Sequence, residues 1–229
     1  MLLLAIDTSG KQGSIALARA GEGPPAAVDI EIIQIAPLAG GTFSAQLIPQ
    51  IADLLSSNGF TKNGIGAFAV ASGPGSFTGL RIGLAAVKAL AEVLGKPIAA
   101  VSLLEACVVA SAAQGKVMSV LDAGRGDVYV GEYEIPAEAG WVPRERILGR
   151  SEFLAQARGW TVVTPDSALA EVARAAGLTV SILVAPISAA DVARLGWRKI
   201  RSGDTVTPEQ LEANYIRRTD AEMLERIGS

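Results

Sequence analysis

The sequence predicts an α/β protein made of two lobes that begin alike. Apolar strand-like segments and segments of helical periodicity follow one another along the 229 residues, the pattern of layered α/β lobes. Two stretches about 115 residues apart read as the same motif. Leu4-Ala5-Ile6-Asp7-Thr8-Ser9-Gly10 is followed by Ser14-Ile15-Ala16-Leu17, and Ser119-Val120-Leu121-Asp122-Ala123-Gly124 by Asp127-Val128-Tyr129-Val130. Each is an apolar strand ending in Asp, a turn of small residues and a returning strand. Half of the residues are hydrophobic, ample for one large core or two smaller ones.

Leu2 to Ile6 and Ser14 to Ala18 form the first hairpin. Glu22-Gly23-Pro24-Pro25 reads as a turn, and Val28 to Ile35 as a third strand. Ser44 to Ser57 has apolar residues at helical spacing, with Pro49 near its first turn and Asn58-Gly59 as its stop. Ile65 to Ala71 is a strand and Thr78 to Leu94 a helix halted by Gly95-Lys96-Pro97. Ile98 to Val101 is a short strand. Ser102 with Glu105 reads as a capping box for a helix through Ala113. The second hairpin, Val117 to Leu121 and Asp127 to Tyr133, is followed by a strand (Thr161 to Thr164), a helix (Ser167 to Ala176), a strand (Val180 to Val184) and a helix (Ser188 to Ile200). The lobes are expected at residues 1–101 and 102–229, the final ~20 residues being free to pack back on the first lobe.

Between strand and helix lies Ser72-Gly73-Pro74-Gly75-Ser76-Phe77-Thr78-Gly79-Leu80-Arg81-Ile82-Gly83. A strand, a glycine-rich turn and a helix start can receive an anion on backbone N–H groups. Neither common phosphate fingerprint is met, because there is no G-x-x-x-x-G-K-[ST] and the spacing here is G-x-G-x-x-x-G. From spacing alone, glycines that permit a tight turn and close helix packing are the better reading.

The chain has no histidine and one cysteine. Ser-His-Asp and Cys-His chemistry and histidine-based zinc sites are therefore excluded. Cys107, in an apolar helical run, reads as a small buried hydrophobe and not a nucleophile. One cysteine permits no internal disulfide and suits a reducing cytosol. The net charge of −3 argues against a free-standing nucleic-acid binder. Arg144, Arg146, Arg150, Arg198, Lys199, Arg201, Arg217 and Arg218 read as scattered basics on a solvated surface. Trp141, Trp160 and Trp197 are too widely spaced for a base-stacking platform. The apolar start reaches Asp7 too soon for a signal peptide, and no apolar run approaches the ~20 residues that span a bilayer.

In the helix from Gly79 to Leu94 the charged residues Arg81, Lys88 and Glu92 share one stripe with Ala85. Nearly all other positions are apolar or glycine, far more than the ~100° stripe needed to lie on a sheet. Either the helix is enclosed in its own lobe, or a second face meets another chain.

Four segments together resemble a known family: Leu4-Ala5-Ile6-Asp7-Thr8-Ser9, the run from Ser72 to Gly83, Val101-Ser102-Leu103-Leu104-Glu105-Ala106, and Leu121-Asp122-Ala123-Gly124-Arg125-Gly126-Asp127-Val128-Tyr129. They are similar to the TsaB (YeaZ) family, the dimerisation subunit of the bacterial tRNA threonylcarbamoyladenosine (t6A) system. Asn214-Tyr215-Ile216-Arg217 resembles its terminal Pro-Tyr-Leu-Arg. The resemblance implies the two-lobed actin/Hsp70/sugar-kinase-like (ASKHA) α/β fold with a duplicated lobe. It implies a non-catalytic scaffold that binds TsaD and supports threonylcarbamoyl transfer to N6 of adenosine 37 in tRNA, with TsaE in the complex, tRNA reached only through it, and a homodimer when alone. It tips the apolar helix towards an interface formed by Leu47, Ile48, Ile51, Leu55, Gly79, Leu80, Gly83, Ala86, Val87 and Leu90. No intrinsic cofactor or metal is expected, ATP or ADP with Mg2+ entering only within the complex.

The sequence departs from the family at two places. Phe43-Ser44 stands where His-Ser is frequent, and Thr164-Pro165-Asp166-Ser167 where such folds often carry a glycine-rich nucleotide turn. TsaD uses a His-x-x-x-His metal site that this chain cannot make. The rival reading is a small kinase or ATPase of the same superfamily using Asp7, Thr8, Ser9 and Gly10, with Asp7 and Asp122 as matching strand-end aspartates. For each aspartate the alternative is an Asx-type cap on its own turn, favoured for Asp122 and left open for Asp7. A peptidase, a label some relatives carry, has no residues here to support it.

Overall fold

The computed structural model describes residues 1–21, 30–136, 142–178 and 180–216. The expected turn at Glu22-Gly23-Pro24-Pro25, the basic pair Arg217-Arg218 and Trp141 lie outside the described residues.

The first half of the chain supplies β1 (Leu2–Asp7), β2 (Gly13–Ala20), β3 (Ile30–Leu38), α1 (Phe43–Ser57), β4 (Ile65–Gly73), α2 (Phe77–Leu94), β5 (Ile98–Ser102) and α3 (Leu103–Ser111). The second half supplies β6 (Gly115–Gly124), β7 (Asp127–Ile135), β8 (Arg144–Gly149), α4 (Arg150–Gln156), β9 (Thr161–Thr164), α5 (Ser167–Ala175), β10 (Val180–Leu183) and α6 (Ala189–Ser202). The strands form two five-stranded sheets, β3-β2-β1-β4-β5 and β8-β7-β6-β9-β10. In each, the first three strands are an antiparallel meander, and the next two join parallel on the far side of the first. The like beginnings of the two halves thus extend to whole sheets of one topology.

Two elements escaped the sequence reading. β8 and α4 fall where the basics Arg144, Arg146 and Arg150 suggested bare surface. Strand β8 pairs only with β7 among the described strands. An edge strand can carry charged residues on a half-wet surface, which hides the alternation that a strand normally shows. Arg146 is no free surface charge. Its guanidinium pairs with Glu132 of β7 and donates to Gln156 of α4 at 2.6 Å. Helix α3 ends at Ser111, two residues short of expectation, at Ala112 with a φ of 53°. Ser102 Oγ accepts the Glu105 N–H at 3.4 Å, one half of the expected capping box.

Two compact units result. The first is Met1–Ala106 with Pro186–Ala213; the second, among the described residues, is Cys107–Ala185 with 214–216. Helix α6 and the residues from it to Ala213, expected within a second lobe of 102–229, therefore belong to the first unit. The physical reason is a sheet with two unlike faces. Leu4, Ile6, Ile15, Leu17, Phe68 and Val70 point into a core of large side chains with Leu47, Leu54, Leu80 and Val87 of α1 and α2. The alternating positions Ala5, Ala16, Ala18, Ala67, Ala69 and Ala99 are fully buried on the opposite face. Alanines there leave room for a helix to come very close, and α6 supplies Ala189, Ala190, Ala193 and Gly196. A Cβ built on Gly196 would stand 2.4 Å from the Ala69 Cβ. The start of α6 is tied to β2 by the Ala189 N–H donating to Ser14 Oγ at 2.9 Å. Beyond α6, the Val206 N–H bonds the Ile98 carbonyl at 2.8 Å and covers the β5 edge. Leu211 is fully buried in the same core.

The second unit has its own core. Met118, Val120, Val128, Val130, Phe153, Val162, Leu169 and Ala173 pack between one face of its sheet and helices α4 and α5.

Gly196→Val should lower stability by about 1–3 kcal/mol, the usual cost of overpacking a core, read as a lower urea midpoint with an unchanged slope. Gly64→Ala, where an added Cβ meets nothing within 4 Å, should stay within about 0.5 kcal/mol of the parent. Equal midpoints for both variants would refute the close approach of α6.

Candidate functional site

The glycine-rich run receives the end of the first strand. Strand β1 closes with Asp7, and the chain then turns through Thr8 and Ser9, which are all but buried. Asp7 Oδ1 accepts the Ser9 N–H at 2.9 Å and the Ser9 O–H at 2.6 Å, an Asx turn. The Thr8 hydroxyl donates to the Gly79 carbonyl at 2.7 Å, and the Ser76 N–H to the Ser9 carbonyl at 2.7 Å. Ser76 also caps α2, its Oγ accepting the Gly79 N–H at 3.3 Å. An added Cβ on Gly75 would lie 2.6 Å from the Ser9 carbonyl oxygen. On Gly79 it would lie 2.0 Å from that of Thr8, and on Gly83 2.4 Å from Thr8 Oγ1. Glycines at 75, 79 and 83 thus form one inward row that seats α2 on the Thr8–Ser9 turn. Close packing, the reading favoured by spacing, is what this run does here, and its neighbour is the chain's own first strand.

Burial pushes the Asp7 carboxyl above its ordinary value. Its hydrogen bonds from Ser9 work the other way, and Asp191 of α6 adds to the rise. Gly10 is exposed. Asp122, the matching aspartate of the second unit, is exposed opposite Val128. At Thr164-Pro165-Asp166-Ser167, the Asp166 carboxylate caps α5, accepting from the Ala168 and Leu169 N–H groups at 2.8 and 3.2 Å. A carboxylate of the chain itself thus sits at that helix start.

Helices α1 and α2 form one layer on the large-residue face of the first sheet and touch each other. The residues expected at an interface divide within it. Leu47, Ile51, Leu55, Gly79, Leu80, Gly83 and Val87 are buried in the chain's own core, Ala86 and Leu90 are half-buried, and Ile48 is 51% exposed. The outward side of the layer carries Ala45, Ile48, Pro49 and Ala52 of α1, and Phe77, Ala85, Ala89 and Val93 of α2. Val93 is 76% and Phe77 40% exposed. The Arg81 guanidinium lies 3.7 Å from the Phe77 ring centroid, a cation–π contact. Arg81, Ala85 and Glu92 of the charged stripe are exposed, and Lys88 is half-buried. Phe77 and Val93 were not singled out from sequence, because a helix apolar nearly all round offers no periodicity to separate core from surface. The usable signal was the glycine row, which marks the inward side. Among the described residues, no three His, Cys, Asp or Glu side chains are grouped to hold a metal ion.

Comparison with known proteins gives a consistent picture. The family model described as "TsaD: tRNA N6-adenosine threonylcarbamoyltransferase" matches residues 35–147. The tRNA threonylcarbamoyladenosine biosynthesis protein TsaB of Escherichia coli (strain K12) is 30% identical over 233 aligned positions, covering 95% of each chain. The protein of that name from Bacillus subtilis (strain 168) is 36% identical over 139, 58% of this chain and 56% of its own length. A crystal structure from Pseudomonas aeruginosa, described as an uncharacterized protein with similarity to peptidase YEAZ, superposes with a TM-score of 0.68 at 25% identity, over 94% of this chain and 99% of that one. The "YeaZ from Pseudomonas aeruginosa" structure does so with 0.66 at 23%. With two sheets of one strand order, the fold is ASKHA-like.

Asp7→Asn should test the turn. Because the folded-state pKa is raised above 3.8, the folded carboxyl binds its proton more tightly than the unfolded one, and stability declines as pH rises through the window above 3.8. The amide keeps an acceptor for Ser9 and carries no charge. Its melting temperature should exceed the parent's at pH 7, the gap closing as the pH falls towards 4. Asp7→Ala leaves the Ser9 donors unpaired and should cost about 1–3 kcal/mol. A parent more stable than Asp7→Asn across the whole range would refute this account.

Proposed function

The chain belongs to the TsaB family, and we propose that it serves t6A biosynthesis as a non-catalytic subunit whose α1–α2 layer binds TsaD. The observation that carries the reading is the outward side of that layer. Ile48, Pro49, Phe77, Ala85, Ala89 and Val93 turn apolar surface to solvent above a core that is already complete. Exposed apolar residues gathered on one side of a helical layer support an interaction site there. In the complex the layer would hold TsaD in a form competent for threonylcarbamoyl transfer to adenosine 37 of tRNA, with TsaE as a further member. The same face would pair two copies when the protein is alone.

The residue inventory supports a partner role over an enzyme. With no histidine, neither the metal site of TsaD nor a peptidase triad is within its means. The rival kinase or ATPase reading needs Asp7, Thr8 and Ser9 to face a nucleotide. These side chains are buried and engaged with Ser9, Gly79 and the glycine row. We therefore assign no cofactor to the isolated chain, and ATP or ADP with Mg2+ only to the assembled complex. No helix among the described residues is long and apolar enough to cross a membrane, and a single buried thiol suits the cytoplasm.

Val93→Glu and Ala89→Glu place a charge on the outward side. Each should fold with a stability within about 0.5 kcal/mol of the parent, yet lose TsaD capture by more than a hundredfold, since an unpaired charge buried at a contact costs about 3 kcal/mol or more. Gly83→Glu, directed into Thr8, should instead fail to fold. If both outward variants bind purified TsaD and support tRNA modification at parental levels, this face is not the interface.

A further inference from the structure

The outward side of α6 is chemically unlike the rest of this acidic chain. Its inward side is pressed on the alanine face of the sheet, so only one stripe is free to meet anything else. That stripe carries Arg194, Arg198 and Arg201, spaced four and three apart and therefore neighbours along one face. They span about 10 Å of helix at 1.5 Å per residue. The one lysine of the helix, Lys199, is used internally. Its Nζ lies 2.7 Å from Asp204 and 3.5 Å from Glu105. The acidic groups beside the helix are also engaged. Asp191 accepts from Ser188 and pairs with Arg194 at 3.4 Å, while Asp204 and Glu105 neutralise Lys199. Arg198 is exposed, and Arg201 lies with its guanidinium 5.8 Å from the Trp197 ring centroid. Neither forms an ion pair among the described residues. The stripe therefore keeps a net positive charge on a chain whose total is −3.

We infer that this arginine stripe of α6 is a contact surface for the phosphate backbone of RNA, supplied by tRNA while the chain is held in its complex. The guanidinium fork matches phosphate oxygens bidentately and stays charged at every physiological pH. The helix is seated on the sheet by Gly196 and by the Ala189 N–H bond to Ser14, so the three positions are held in one row along its outward face. The choice of tRNA rests on the t6A reading above; the anion-binding stripe does not. Two or three phosphate contacts give weak binding by the chain alone, falling roughly tenfold to thirtyfold between 50 and 200 mM salt.

The test is a filter-binding titration of the full chain with an unmodified tRNA transcript across that salt range, with thermal melts as a folding check. Arg198→Ala with Arg201→Ala should weaken binding at low salt about tenfold and flatten the log–log salt slope by about 1.5. Lys62→Ala, an exposed cation remote from α6 in the sequence, should change little. Arg198→Gln alone, at an exposed position, should retain the fold and show a smaller loss of the same kind. Unchanged affinity and slope in the arginine variants overturns the inference, as does an equal loss in Lys62→Ala. Loss of TsaD capture with RNA binding intact overturns it too and makes the stripe a protein contact. Failure of Val93→Glu to disturb TsaD capture would count against the subunit reading without touching this result.

Discussion

The structure of the first unit depends on how closely α2 approaches the end of β1. Side chains at 75, 79 or 83 would overlap the backbone of Thr8 and Ser9 or the Thr8 hydroxyl. With glycine at all three, the helix sits down on the turn and exchanges two hydrogen bonds with it. That contact sets the height of α2 over the sheet and so decides which of its apolar residues reach the core. Leu80, Leu84, Val87 and Ala91 go in, and Phe77, Ala85, Ala89 and Val93 stay out. A solvent-facing side and a buried side are thus separated on a helix whose composition hardly distinguishes them.

The same sheet illustrates a second constraint. Its two faces are filled by different means, large aliphatic and aromatic side chains towards α1 and α2, and alanines towards α6. A close-packed interior cannot leave the alanine face bare or half-filled. A helix rich in Ala and Gly satisfies it, and the chain brings that helix back from residues 189–202. This return also positions Asp191 near Asp7, where burial and a neighbouring carboxylate together raise the affinity of Asp7 for its proton. The turn beneath α2 and the helix behind the sheet are therefore coupled through one buried carboxylate.

These constraints bear on what the protein offers to others. Several strand ends and helix starts are engaged by the chain itself: Asp7 by Ser9, the α2 start by Ser76 and Ser9, and the α5 start by Asp166. What remains outward on the first unit is an apolar layer on one side of the sheet and an arginine stripe on the other. Their contrast follows from the two unlike faces of one sheet, each covered by helices whose outer sides were free to diverge.

Much of this was legible in the residues. The apolar run into Asp7 and its echo at Asp122 gave the duplicated lobe, because strand burial and turn chemistry are local and repeat in the sequence. The helix expected from Thr78 to Leu94 was legible through its apolar run and its Gly95-Lys96-Pro97 stop. The missing histidines bounded the chemistry without any coordinates. Three things were decided only by the fold. Strand β8 was hidden because Arg144 and Arg146 occupy an edge strand, where alternation is weak. The membership of α6 in the first unit depends on a match of small side chains across more than a hundred residues of chain, which no local pattern records. The orientation of α2 was undetermined because a helix apolar on nearly every side has no preferred face until something touches it. That contact is the Thr8–Ser9 turn, more than seventy residues earlier in the chain.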